Sequence, residues 1–127
     1  MWLFTKHGFY SAVCARQGEG NRTEPVDPDR VMVRARVSSH LENLIKHFPQ
    51  WLGDVEVLHS RDTDYRYRIL MEKNTWNKVV SELVSQMDYD NFKSSVGTNT
   101  AEVGSNYKDA LLDVWQTMHQ LQTVENG

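Results

Sequence analysis

Two stretches of the chain put arginines at every second position. "RVMVRARV", residues 30–37, carries Arg34 and Arg36, and "DYRYRILME", residues 64–72, carries Arg66 and Arg68. A guanidinium keeps its charge at physiological pH and offers paired donors in a planar fork, which suits phosphate and carboxylate ligands. Successive side chains of a strand point to opposite faces. Arg34 and Arg36 therefore share one side of their strand, and Arg66 and Arg68 one side of theirs. If the strands are neighbours, all four converge on one surface. That surface would capture an anionic nucleotide-type ligand or single-stranded nucleic acid, with Tyr10 or Trp2 of the N-terminal strand adding stacking. The plainer expectation is that these arginines keep an exposed strand wet and pair with Glu56, Asp64 or Glu72.

A further set lies in "DYDNFK", residues 88–93. Asn91 and Lys93 would bring hydrogen bonds and charge to the rim of the arginine face. The same segment also suits a turn or a helix cap, with Phe92 as its anchor. Trp115, beside the apolar stripe of the last helix, and Trp51, after the first helix, are candidates for binding a protein partner, because an aromatic at the edge of a stripe either seals a core or anchors another subunit. A homodimer would form through that helix or a sheet edge.

Catalytic patterns are sparse. The chain has no GxxxxGK[ST], GxGxxG or GxSxG motif, so the usual phosphate cradles and nucleophile elbow are missing. Its histidines show neither HExxH nor zinc-finger spacing. Cys14, the one cysteine, has no partner for an intramolecular disulfide, as suits a reducing compartment. These observations assign no catalytic residue, metal ligand or cofactor and point to a non-enzymatic binding module. Two alternatives stay open: an interaction or inhibitor protein, and a metal-dependent nuclease in which Asp62, Asp64, Asp88 and Asp90 converge on magnesium.

The elements that position these residues follow from pattern. With 127 residues, 39% hydrophobic and 24% charged, the chain is expected to form one folded domain over 1–122, with an exposed loop at 17–29 and a frayed tail at 123–127. A net charge of −3 argues against strong duplex binding. The N-terminus has no basic lead or long apolar run, and no transmembrane-length apolar stretch occurs, so the chain reads as cytoplasmic, with no membrane partner.

"WLFT" and "FYSAVCAR", separated by "KHG", predict a hairpin. "RVMVRARV" predicts a strand with Val31, Val33, Ala35 and Val37 inward. Ser39 and Glu42 have capping-box spacing before the helical stripe Leu41, Leu44, Ile45 and Phe48. "DVEVLHS" predicts a short strand and "DYRYRILME" a longer one, with Tyr65, Tyr67, Ile69 and Met71 inward. Asn74 or Thr75 would cap a helix bearing Trp76, Val79, Val80, Leu83, Val84 and Met87. A short helix is expected near Phe92, and a last one from Ser105 or Asn106 bearing Tyr107, Ala110, Leu111, Val114, Met118 and Leu121. The order predicts an α+β, ferredoxin-like two-layer sandwich, with a mainly antiparallel sheet, helices on one face and an extra C-terminal helix.

The segments "MWLFTKHGFYSAV", "VRARV" followed by "HLENL", "DYRYRI", "MDYDNFK" and "YKDALLDVWQTMHQLQ" together resemble a family of small bacterial and phage proteins. Members of that family open with Met-Trp, carry a Tyr-Asp-Asn-Phe-Lys segment and end in a helix with Trp. The likeness spans most of the chain except 17–29 and 97–104. It implies a shared fold and domain boundary and brings no activity with it. For a phage relative it implies that the interaction protein would inhibit host defence.

Overall fold

The computed structural model describes residues 1–18 and 23–126. It divides into two compact units, one spanning Met1–Asp88 and one beginning at Tyr89.

The first unit holds a five-stranded sheet. Its strands are β1 (Trp2–Thr5), β2 (Gly8–Arg16), β3 (Val26–Ala35), β4 (Leu58–His59) and β5 (Tyr67–Glu72), in the order β1-β2-β3-β5-β4. Every neighbouring pair is antiparallel. Because β3 and β4 both run antiparallel to the β5 between them, they share a direction, and helices α1 (Ser38–His47) and α2 (Pro49–Leu52) link them. This is a split crossover. The hairpin ahead of it was expected, but the ferredoxin-like order is not reproduced: among the described residues no strand follows α3 (Lys73–Ser85), and the sheet runs β1-β2-β3-β5-β4.

Alternation determines which side of the sheet is covered. Val31, Val33 and Ala35 of β3, with Ile69 and Met71 of β5, are buried, and both α1 and α3 (Lys73–Ser85) pack on these strands. Leu41 and Leu44 fill the space from α1, Phe48 from its C-cap, and Trp76 and Val79 from α3. Fully burying such aliphatic side chains stabilises by about 1.5–3 kcal/mol each. The outer positions of α3's predicted stripe, Val84 and Met87, are exposed.

The first hairpin is bolted to α1. Gly8 has φ +148°, and a Cβ there would lie within 2.6 Å of His40 Cβ. Tyr10 donates its hydroxyl to His40 O at 2.6 Å, Asn43 donates to His7 O at 3.0 Å, and the Phe9 N–H donates to His40 Nδ1 at 3.2 Å. These bonds satisfy polar groups that would be costly to bury unpaired. The glycine of "KHG" is thus required by close approach as well as by the turn.

Several local expectations differ from the structure. α1 starts at Ser38 after Val37, with no side-chain cap, so the Ser39/Glu42 capping box is not used. α3 follows Glu72 directly rather than a cap at Asn74 or Thr75. β3 begins at Val26, inside the expected loop, because Ala15 and Arg16 pair with Asp27 and Val26. Residues 19–22 of that loop lie outside the described residues.

The second unit consists of α4 (Phe92–Gly97), α5 (Thr100–Val103) and α6 (Ser105–Asn126), with α4 and α5 packed on α6. Asn91 caps α4 by accepting the Ser94 N–H at 2.9 Å. The tail expected to fray from 123 is helical through Asn126. Among the described residues no helix is long and apolar enough to cross a membrane.

Candidate functional site

The sheet face opposite α1 and α3 carries the arginines. Register pairs Arg34 with Arg68, Met32 with Leu70, and Arg30 with Glu72 across β3 and β5, and Ser11 with Arg34 across β2 and β3. Arg34 and Arg68 are both half-buried. Like charges directly opposite in a ladder are unfavourable. The arrangement persists without neutralisation, since among the described residues none of Arg34, Arg36, Arg66 or Arg68 makes a salt bridge. The expected pairing with Glu56, Asp64 or Glu72 is not made.

Arg34 is held in place instead by neutral groups. Its Nη2 donates to Ser11 Oγ at 2.8 Å, and its Cζ lies 4.5 Å from the centre of the Tyr65 ring. Arg36 Cζ lies 4.4 Å from the same ring, and its Nε donates to Asp64 O at 3.4 Å. Both contacts are within cation–π range. Arg34 Nε is buried with no hydrogen-bond partner, which leaves a charged donor available.

Tyr65 departs from the expected pattern. It was expected to face the helices with Tyr67, Ile69 and Met71, yet its ring meets arginines of the open face. The reason is that β5 starts at Tyr67, so residue 65 is not bound by the strand's alternation. Arg66 is likewise outside β5 and exposed; its carbonyl accepts the Ser60 N–H at 2.7 Å.

A cleft of about 690 Å³ opens here, lined among others by Arg16, Arg34, Arg68, Tyr65, Asp62 and Asp64. Arg66 and Arg36 do not line it. Arg16 was missed from sequence. It is carried into the group by the irregularity in β2 between Cys14 and Ala15, which shifts the register of the strand's end, and a bulge of that kind has no reliable signature in a single sequence.

Aromatic residues extend the face towards the edge strand. Trp2, Phe4 and Phe9 lie on the side of Ser11 and Arg34 by register. Phe4 stacks on Phe9 with centroids 4.4 Å apart, and Trp2 meets Phe9 edge-on at 6.0 Å while remaining 69% exposed. Tyr10 occupies the other side. It is fully buried against α1, so its expected place on the arginine side is corrected: Phe9 and Tyr65 are the aromatic rings that lie there.

The remaining candidates have local roles. Asn91 and Lys93 belong to the second unit, where Asn91 is the α4 cap and Lys93 Nζ lies 4.6 Å from the centre of the Trp115 ring. Trp115 is half exposed and stacks on His119 at 4.9 Å. Trp51 stacks on Phe48 and packs against the core. Asp62 and Asp64 edge the cleft, whereas Asp88 pairs with Lys6 at 3.3 Å. Among the described residues, no cluster with metal-ligating geometry includes Asp62, Asp64, Asp88 or Asp90.

Burial lowers the pKa of His40 below its ordinary 6.5. Its Nδ1 accepts the Phe9 N–H, a bond that needs that nitrogen unprotonated. His40 is thus a structural base beneath the hairpin. Comparison with protein-family models, with curated proteins and with solved structures gives no match for this chain.

Proposed function

We propose that the open sheet face binds a small anionic ligand of nucleotide type and performs no chemistry on it. The observation that carries this reading is the half-buried Arg34–Arg68 pair, opposed across the ladder and in salt-bridge contact with no carboxylate among the described residues, with Asp62 and Asp64 at the edge of the same cleft. An anion placed between them would relieve their repulsion and accept from the unpartnered Arg34 Nε. The cleft falls within the size of small-molecule sites, about 300–1,000 Å³. Exposed Trp2 and the Phe9 ring supply stacking surface on the same side. We read strands β2, β3, β4 and β5 with α1 and α3 as a ferredoxin-like arrangement whose last strand has moved to the front, with β1 added at the edge; the antiparallel order β2-β3-β5-β4 supports that reading.

The test is calorimetric titration of the full chain with AMP and with an oligothymidylate at low salt. AMP binding that vanishes in Arg34→Ala/Arg68→Ala, with the melting transition retained, supports the reading. Binding of the oligonucleotide alone would assign the face to single-stranded nucleic acid.

A second reading, protein interaction, is favoured by one feature of α6. Leu112, Trp115, Met118, Leu121 and Val124 are exposed, and no Lys, Arg, Asp or Glu falls between Asp113 and Glu125. Apolar surface of this kind fits a protein partner. For a phage-type relative that partner would be a host defence protein, and a second copy of the chain would give a homodimer. Sedimentation of the full chain beside Trp115→Lys/Met118→Lys checks the self-associating form: a monomer in both removes the homodimer.

A further inference from the structure

A second cleft adjoins the first. It has a volume of about 330 Å³ and is lined by Arg16, Arg30, Arg68, His59, Met32 and Leu70 among others, with no carboxylate among the described residues of its lining. Arg16, Arg68 and Met32 line both clefts, whereas Arg34 lines only the first and Arg30 only the second. Arg30 stands opposite Glu72 in the ladder but makes no salt bridge among the described residues.

Spacing then limits what can fill both. Arg30 and Arg34 are four residues apart on one side of β3, a rise of about 13 Å at strand geometry. Between them lies the Met32–Leu70 pair, an apolar floor. A ligand engaging both arginine groups needs an anion at each end and an uncharged spacer over that floor. The phosphorus atoms of a diphosphate share one bridging oxygen, so that ligand spans much less of this rise than phosphates on opposite sides of a sugar.

We infer, resting on the nucleotide-binding reading above, that the site takes a ligand with two phosphates separated by at least a sugar: a nucleoside bisphosphate or a dinucleotide. One phosphate lies between Arg34 and Arg68. The other is held by Arg30 and Arg16.

Calorimetric titration of the full chain with AMP, ADP and adenosine 3′,5′-bisphosphate tests this. The bisphosphate is expected to bind at least about tenfold more tightly than either AMP or ADP, a difference of about 1.4 kcal/mol. Arg30→Gln should reduce bisphosphate affinity to that of AMP and leave AMP itself within about twofold. Arg34→Gln should weaken all three, and thermal melts confirm that both variants fold. If ADP binds as tightly as the bisphosphate, or Arg30→Gln keeps the preference, the two-phosphate inference is overturned while the anion site stands. If none of the three binds, the nucleotide reading itself fails, and the inference with it.

Discussion

Arg34 of β3 and Arg68 of β5 stand directly opposite one another in the antiparallel ladder, half-buried, with no carboxylate in salt-bridge contact among the described residues. A fold that only needed a soluble strand would place an acid at one of these positions. Retaining two opposed cations is costly for stability.

Arg68→Met therefore stabilises the protein, by about 0.2–1 kcal/mol, by removing a like-charge cross-strand pair. On the proposed function, the same change would abolish nucleotide binding. Urea denaturation measures the first effect and calorimetry the second; a lower midpoint in Arg68→Met would show that the pair is not repulsive.

The Tyr65 ring is 6% exposed and lies under both Arg34 and Arg36. Tyr65→Ala costs about 3–5 kcal/mol through lost packing, plus about 0.5–1 kcal/mol for each cation–π contact. Tyr65→Phe keeps the ring face and is close to neutral. Equal losses in the two variants, measured by chemical denaturation, would mean that the hydroxyl rather than the ring is what matters.

Gly8→Ala destabilises by at least about 2 kcal/mol, since the new Cβ meets His40 in a backbone conformation that L-residues rarely adopt. Its melting temperature should fall by more than that of Gly97→Ala, where the nearest atoms are the flexible end of Lys108 at 3.5 Å or beyond. A wild-type melting temperature in Gly8→Ala would refute the close approach.

His40 makes stability depend on pH. Its folded pKa lies below the unfolded value of 6.5 because burial opposes the charged ring. The unfolded chain therefore binds the proton first as pH falls. Its contribution is fully present above 6.5 and is lost as pH drops through the folded pKa. His40→Asn, which can still accept the Phe9 N–H, should flatten the stability profile below pH 6.5 relative to wild type; superimposable profiles would exclude His40 as the titrating group.

Much of the fold was legible from local pattern. The turn at "KHG", the alternation of "RVMVRARV" and the apolar stripe of α1 each express a periodicity that one segment imposes on itself. Hence Val31, Val33 and Ala35 meet the helices as expected, whereas Val37, past the strand's end, is exposed. Where alternation was extended past a strand's end it failed: Tyr65 lies before β5 and turned to the arginine face.

The sequence by itself determined that arginines of "RVMVRARV" and "DYRYRILME" would lie on the wet side of their strands, because side-chain direction in a strand follows from backbone geometry alone. Only the tertiary structure decided that Arg34 would oppose Arg68, that Arg66 would lie outside the cleft, and that Arg16 would enter it. Those outcomes depend on register, strand ends and the irregularity at Cys14/Ala15. All three are settled by pairing between residues distant in the chain, where a slip of one position sends every side chain to the other face.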